Sequence, residues 1–360
     1  MAAARPFKVA LTGDFYGADG APRYQDLGLS VFEGQPIEHR AFAEHRPEIG
    51  PDQIGDAAGV VVLTPKVTAR TVSESSNLLA VGRFGVGYDN VDVAACTAAD
   101  VVAFITAGAV DRSVAEATVA WMLALTHHLL TKDRLLRQGQ WEERSKYMGS
   151  ELRDRTLGVV GMGGIGRALV ELLRGFGMRQ PLVFDPFVDQ EAAARLGVKV
   201  VPLDELMRTA DFVSIHCPLN DKTRNLIGQH ELSLMQPHAF LLNTARGGIV
   251  NEDALYEVLK QRQIAGAALD CFECEPVTAP NRFGELDNVI LAPHAIAWTN
   301  EMFRDIGRAV CQGMVDLAHG RHPRGVLNPQ VFERPGFQEK WQRLQSPNVN
   351  HGLPMESRRE

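Results

Sequence analysis

The sequence has little of several features that mark specialised classes of protein. Its five cysteines, at positions 96, 217, 271, 274 and 311, are few and odd in number, which argues against a disulfide framework and favours a reducing compartment. The 37 basic and 44 acidic residues, net charge −7, form no runs of like charge, so nucleic acid and anionic membranes are not expected partners. The start of the sequence lacks the long apolar segment of a signal peptide. These absences favour a cytoplasmic protein that binds a small molecule.

Long hydrophobic runs are also missing. The most apolar stretch, Val114 to Leu130, carries Glu116 and two histidines and is shorter than the roughly 20 apolar residues that a bilayer requires. We therefore expect a buried helix there and no membrane association.

The apolar residues that are present indicate an α/β fold. With 360 residues and 45% apolar content, the chain exceeds one ordinary hydrophobic core and suggests two domains. Short β-branched runs alternate with helical patterns, which predicts a parallel sheet covered by helices. These runs are 60–63, 101–105, 157–160, 212–215, 239–243 and 289–291. From about Arg334 the chain turns polar, and we expect a loosely packed tail there.

A glycine-rich segment gives the first chemical signal. Gly161, Gly163 and Gly166 form G-x-G-x-x-G after an apolar strand, and they open a helix with one apolar face. In a dinucleotide site the first glycine makes the tight turn, the second lets backbone amides approach the pyrophosphate, and the third brings helix and strand together. The positive helix N-terminus, with Gly164 and Ile165, then favours the phosphates.

The next apolar run ends in Asp185, 19 positions after Gly166. A carboxylate at this place accepts hydrogen bonds from both hydroxyls of the adenosine ribose, and its charge repels a 2′-phosphate. The sequence therefore predicts NAD in preference to NADP.

Three later segments place polar residues directly after expected strands. They hold Arg246, then Asp270 and Glu275, then His294. Open α/β sheets bind their ligands at the ends of the strands. Together these side chains offer a guanidinium to grip a carboxylate, an imidazole to exchange a proton, and a carboxylate to keep that imidazole charged.

Several motifs in order resemble one family, the D-isomer-specific 2-hydroxyacid dehydrogenases, whose relatives include phosphoglycerate dehydrogenase and hydroxypyruvate reductase. The similarity runs from about Val60 to Asn328. Its motifs are GRFGVGYDNVD (82–92), SVAEAT (113–118), GMGGIG (161–166), HCPL (216–219), NTARGGIVNEDAL (243–255), DCFECEP (270–276) and PHAIAWT (293–299).

The resemblance implies two Rossmann-like domains with doubly wound parallel sheets. An NAD-binding domain, 108–297, would be inserted into a substrate-binding domain made of 1–107 and 298–335, with 336–360 as a C-terminal tail. It also implies a homodimer formed through the NAD-binding domain.

The resemblance further implies roles for individual residues. Arg246 would hold the substrate carboxylate and polarise its C2 oxygen, assisted by the backbone amides of Val86 and Gly87. His294 would be the acid/base and Glu275 its partner, while Asp270 would lie beside the nicotinamide amide. The remaining cofactor contacts would be Thr118, His216, Cys217, Pro218, Thr223, Thr244 and Ala245. His216 would line the cofactor and would not transfer the proton.

Other functions are weighed against this one. A branch of the same fold serves as an NAD(H)-responsive transcriptional corepressor, and such a protein would keep every residue named above. A formate dehydrogenase would pair its histidine with glutamine, so Glu275 argues against it. Cys271 and Cys274 form C-x-x-C, but no second Cys/His pair stands at metal-ligand spacing, and we expect no metal.

Overall fold

The computed structural model describes residues 6–345, which alternate between strands and helices along most of their length. The strands are β1 (Phe7–Leu11), β2 (Ile37–Ala41), β3 (Gly59–Val62), β4 (Ala80–Arg83), β5 (Val102–Ile105), β6 (Leu157–Val160), β7 (Leu182–Phe184), β8 (Lys199–Val200), β9 (Phe212–Ile215), β10 (Phe240–Asn243), β11 (Gly266–Leu269) and β12 (Val289–Leu291). The α-helices are α1 (Pro51–Ile54), α2 (Ala69–Ser73), α3 (Val93–Ala98), α4 (Asp111–Thr126), α5 (Leu129–Arg137), α6 (Gly164–Leu173), α7 (Gln190–Leu196), α8 (Leu203–Thr209), α9 (Gln229–Leu234), α10 (Glu252–Lys260), α11 (Asn300–Ala318) and α12 (Pro335–Gln345).

Residue contacts divide the chain into two compact units. Of the residues that the structure describes, 110–299 form one unit, and 6–109 together with 300–345 form the other. The middle of the chain thus forms one unit, and the two ends form the other. Each boundary lies two residues later in the chain than the domain boundaries expected after residues 107 and 297.

The unit built from both chain ends contains a five-stranded parallel sheet in the order β2-β1-β3-β4-β5. Gly59 and Gly82 let helix α11 lie directly on this sheet, because a Cβ at either position would come within 2.9 Å of the Met314 side chain. The edge strand β2 is mostly exposed, so its residues carry no apolar signal.

The middle unit contains a seven-stranded parallel sheet in the order β12-β11-β10-β9-β6-β7-β8. Alternate residues of its strands enter two separate cores, as Val159 and Val160 of β6 show. Helices therefore cover both faces. The strand order reverses between β6 and β9, and the carboxyl ends of such a pair form the ligand crevice of doubly wound sheets. Both sheets match the predicted α/β fold class.

The sequence suggested one buried helix over the apolar stretch 114–130, and this expectation is wrong. Helix α4 ends at Thr126, His128 takes a left-handed conformation with φ +52°, and α5 begins at Leu129. Leu129 and Leu130 are 58% and 49% exposed. The helix was expected from the apolar composition alone. The left-handed backbone of His128 interrupts the helical hydrogen bonds within the stretch. Among residues 6–345, no helix is both long enough and apolar enough to cross a membrane.

The expectation of a loosely packed tail over 336–360 is wrong for its first part. Helix α12 buries Phe337 completely and Leu344 almost completely, and the indole N–H of Trp341 donates to a backbone carbonyl of α11 at 2.8 Å. These three residues are spaced four and three apart and share one face of the helix. The polar residues between them hid this pattern. The rest of the expected tail, 346–360, lies outside the described residues.

Candidate active site

The glycine loop joins β6 to α6. Gly161 has φ +96°, and a Cβ there would lie 2.6 Å from the backbone nitrogen of Cys217 at the end of β9. A Cβ on Gly166 would lie 2.6 Å from the carbonyl oxygen of Gly161. Only glycine fits these two positions, because one requires a left-handed turn over β9 and the other a close approach of helix and strand.

The surroundings of the loop fit a dinucleotide. A Cβ on Gly163 would meet nothing within 4 Å, so there is open space beside the first turn of α6, whose amides favour an anion. Among the described residues, His216 Nδ1 and Thr244 Oγ1, just after the adjacent strands β9 and β10, are buried without a hydrogen-bond partner. Such atoms are costly unless a ligand satisfies them.

Asp185 follows β7 and is fixed beside the glycine loop. Its Oδ2 accepts a hydrogen bond from the Met162 N–H at 2.7 Å, and its Oδ1 accepts one from the Phe187 N–H at 2.8 Å. Each carboxylate oxygen has a second acceptor site. Asp185 is therefore held rigidly and can still accept from ribose hydroxyls.

His216 and Cys217 are held in their uncharged forms. Burial lowers the pKa of His216 to about 4, and its Nε2 lies 2.8 Å from Ser214 Oγ. Burial likewise raises the pKa of the Cys217 thiol to about 11. A neutral imidazole with so low a pKa is a poor proton carrier near neutral pH.

The hydroxyl groups of two expected cofactor contacts are used by the fold itself. Thr118 has no exposed surface, and its hydroxyl donates to the Val114 carbonyl at 2.8 Å. Thr223 donates to the carbonyl of Pro218 at 2.6 Å. These threonines stabilise α4 and the turn after β9, whatever further contacts they make.

Arg246 follows β10 on a tightly braced loop. Asn243 donates from Nδ2 to the Arg246 carbonyl at 2.9 Å, and its Oδ1 accepts from the Ala245 N–H at 3.1 Å. A Cβ on Gly247 would lie 2.0 Å from the Phe272 backbone. This close contact presses the loop against the segment that carries Glu275.

Glu275 and His294 form a direct pair. His294 Nδ1 lies 2.7 Å from Glu275 Oε2, while Glu275 Oε1 accepts from the Phe272 N–H at 2.9 Å. Burial alone would raise the pKa of Glu275, but the hydrogen bond and charge of His294, the Phe272 amide and the charge of Arg246 together lower it below its usual value. Glu275 is therefore ionised at neutral pH, and Nε2 of His294 is the ring atom left for proton transfer.

Asp270 positions His294, a role that the sequence did not reveal. His294 is one of the described non-glycine residues with a left-handed backbone, φ +54°, a conformation that costs on the order of 1–3 kcal/mol. Oδ1 of Asp270 accepts from the N–H groups of Ala295 and Ile296 at 2.9 and 3.2 Å. These bonds hold the turn that presents His294, and burial raises the pKa of Asp270 despite them.

Cys271 was also overlooked as a neighbour of the pair. Its Sγ lies within 4.8 Å of ligand atoms of both Glu275 and His294, and it donates to the Ala245 carbonyl at 3.4 Å. Cys274 is exposed. The C-x-x-C spacing does not show that one thiol is buried beside the pair and the other is exposed, because only the fold determines this.

Val86 and Gly87 lie after β4 in the unit built from both chain ends and are half-buried. Arg246, Glu275 and His294 all belong to the middle unit. The structure thus brings the last three together at one edge of one sheet.

Comparisons with known proteins agree with this geometry. Residues 119–295 match the family model described as "D-isomer specific 2-hydroxyacid dehydrogenase, NAD binding domain". A glyoxylate reductase from Korarchaeum cryptofilum is 36% identical over 284 residues, covering 78% of this chain and 85% of the relative. The chain belongs to the D-2-hydroxyacid dehydrogenase family.

Other members of the family are longer. A D-3-phosphoglycerate dehydrogenase from Archaeoglobus fulgidus is 38% identical over 279 residues, which are 78% of this chain but 53% of that protein. The chain therefore spans about half the length of the phosphoglycerate dehydrogenases that it matches.

A solved structure of a family member is similar throughout. The NADPH-dependent glyoxylate/hydroxypyruvate reductase from Sinorhizobium meliloti, in complex with NADP and malonate, has a TM-score of 0.74 and 26% identity, covering 90% of this chain and 97% of that one. A protein of Pyrococcus horikoshii shares the fold, with a TM-score of 0.77 at 24% identity, covering 93% of this chain and 99% of that one.

Proposed function

We propose that the protein is an NAD-dependent oxidoreductase that transfers a hydride between nicotinamide and C2 of a D-2-hydroxy acid or 2-oxo acid. The observation that carries this proposal is the 2.7 Å pair of His294 and Glu275, with the charge of Arg246 near enough to lower the pKa of Glu275. The reaction uses three protein groups: an acid/base, a carboxylate that stabilises the charged acid/base, and a cation that binds the substrate carboxylate.

In this mechanism Arg246 holds the substrate carboxylate and polarises the C2 oxygen, with the amides of Val86 and Gly87 assisting. Nε2 of His294 gives a proton to that oxygen during reduction and removes the hydroxyl proton during oxidation. Glu275 keeps Nδ1–H in place and stabilises the imidazolium. The glycine loop, Asp185 and Asp270 would hold NAD, which would supply the hydride acceptor or donor when bound.

A panel of 2-oxo acids tests the proposal. Glyoxylate, hydroxypyruvate and larger 2-oxo acids are each mixed with NADH or NADPH, and oxidation of the nicotinamide is followed by absorbance. We expect turnover of at least one acid, with a preference for NADH. Tight NADH binding without turnover of any acid would instead support the corepressor-type alternative.

Asp185 offers a prediction about cofactor choice. Asp185→Asn keeps the size of the side chain but removes the charge, and its single amide oxygen can keep only one of the two bonds from the Met162 and Phe187 N–H groups. We expect the NADPH dissociation constant to fall relative to that of NADH, because repulsion of the 2′-phosphate is lost. Titration of nicotinamide fluorescence measures both constants.

Asp189 provides the matched control for this experiment, because it caps helix α7 through the Ala192 N–H and lies in the same segment. Asp189→Asn should leave the ratio of the two constants unchanged. An unchanged ratio in Asp185→Asn as well would remove Asp185 from the ribose site.

Exposed apolar residues support the proposed homodimer through the middle unit. Five large hydrophobic side chains within positions 129–148 are between 49% and 82% exposed: Leu129, Leu130, Leu136, Trp141 and Met148. Large exposed apolar side chains concentrated in one segment of the chain are typical of a protein interface.

We predict a dimer mass by sedimentation equilibrium at micromolar concentration. Leu136→Glu should shift the mass towards the monomer, because a charge cannot be buried there without a partner. Phe176→Glu, outside positions 129–148, should not. A monomeric parent protein would contradict the prediction directly.

A further inference from the structure

Asp111 lies against the glycine loop, although its chain position is 53 residues away from Gly164. It is the first residue of α4, and Gly164 is the first residue of α6. A Cβ on Gly164 would come 1.9 Å from Asp111 Oδ2 and 2.8 Å from Oδ1. The carboxylate of Asp111 therefore rests directly on the backbone where α6 begins.

No side chain among the described residues pairs with this carboxylate. Neither a hydrogen bond nor an ion pair to the Asp111 side chain occurs within residues 6–345, and the adjacent Arg112 pairs with Glu116 instead. Burial, with no compensating partner, raises the pKa of Asp111. A half-buried carboxylate without a partner is costly, so its place beside the loop requires an explanation.

The start of α6 is where an anion gains most from the protein. The first amides of the helix have no partner within the helix, and the helix dipole adds positive potential there. A bound pyrophosphate uses these same groups. A carboxylate in contact with Gly164 therefore stands within a few ångströms of the position that the phosphates require, and like charges at that separation repel.

We propose that Asp111 limits the affinity of the protein for its dinucleotide by opposing the pyrophosphate, which speeds cofactor release. This inference rests on the proposed binding of NAD at the glycine loop. Asp111 would thus help to set the cofactor dissociation constant. This role is separate from the favourable effect that any acidic residue has at the start of its own helix.

The test is Asp111→Asn, which removes the charge and keeps the size. We measure dissociation constants at low salt for NADH by fluorescence, and for ADP-ribose and adenosine by calorimetry. NADH and ADP-ribose should both bind at least ~3-fold more tightly, since removing one charge about 6 Å away is worth this much even in water-like surroundings. Adenosine, which has no pyrophosphate, should bind equally to both proteins. Stopped-flow measurements should show slower NADH release.

Glu116→Gln is the control. It removes the same charge from the same helix at an exposed position paired with Arg112, and it should leave all three constants unchanged. The gain in Asp111→Asn should shrink at high salt, because salt screens the repulsion between a partly exposed carboxylate and the pyrophosphate.

Equal or weaker binding of NADH and ADP-ribose in Asp111→Asn would overturn the inference, whether or not the enzyme turns over 2-oxo acids. Equally tightened adenosine binding would overturn it too, because the pyrophosphate would not be involved. If the parent binds NADH but reduces no 2-oxo acid, the proposed reaction fails while the role of Asp111 stands. If the parent binds neither NADH nor ADP-ribose, both proposals fail.

Discussion

Arg246→Lys is expected to lower kcat/KM for 2-oxo acid reduction roughly 10- to 150-fold, the equivalent of one charge-assisted hydrogen bond. Lysine keeps the positive charge but loses the planar fork that grips a carboxylate through two parallel bonds. The affinity for NADH should change little, because in our proposal Arg246 contacts the substrate. Steady-state kinetics together with a fluorescence titration of NADH separate the two effects.

The structure adds a reason to expect a severe effect. The backbone of Arg246 is fixed on both sides, by the Asn243 side chain and by the contact of Gly247 with Phe272, so the loop cannot shift to let a lysine reach the same atoms. Arg262→Lys is the matched control, since Arg262 pairs with Asp287 on the surface and should tolerate the change. Near-normal turnover by Arg246→Lys would reduce Arg246 to a structural ion-pair partner.

The sequence predicted well those parts of the fold that are buried on both faces. The expected runs 157–160 and 212–215 coincide with β6 and β9, whose residues are all buried. Strands covered by helices on both sides are continuous apolar segments, and a short run bounded by turn residues reads clearly as a strand. The edge strands β2 and β8 lie largely in contact with solvent, so nothing in their composition distinguished them from loops.

The candidate active-site residues were predicted from motifs, but the contacts that position them were not. Asp270 was expected beside the cofactor, whereas the structure shows it holding the two amides that follow His294. No motif in the sequence indicated a role for Asp111. Both effects depend on residues at least 24 positions apart meeting at the ends of different elements, and no local pattern records such a meeting.

The pair of His294 and Glu275 gives the prediction with the largest effects. His294→Ala removes the acid/base and should lower kcat/KM about 10²- to 10⁴-fold at every pH. Glu275→Gln keeps the size of the side chain and an oxygen for Nδ1–H, but it removes the negative charge. The effect of Glu275→Gln on kcat/KM should therefore depend on pH, and the lost negative charge determines the direction of the change.

In the proposed mechanism reduction requires the imidazolium form of His294, because this form carries the proton that is delivered. The pKa of Glu275 is lowered by the hydrogen bond and charge of His294, against the opposing effect of burial, and by reciprocity the ionised carboxylate favours the protonated imidazole. Without that charge the protonated imidazole loses its electrostatic stabilisation. Glu275→Gln should thus lose reduction at a lower pH than the parent, and should keep oxidation down to a lower pH.

Profiles of kcat/KM against pH in both directions measure this shift. His238→Ala is the control: His238 Nε2 lies 2.8 Å from Asp211 Oδ1, a pair of similar length in the same unit that the mechanism does not use, so its profiles should match those of the parent. If the profiles of Glu275→Gln also match the parent, then Glu275 does not stabilise the imidazolium. Asp270, whose charge also acts on His294, becomes the carboxylate to replace next, with Asp270→Asn keeping the oxygen that accepts from Ala295 and Ile296.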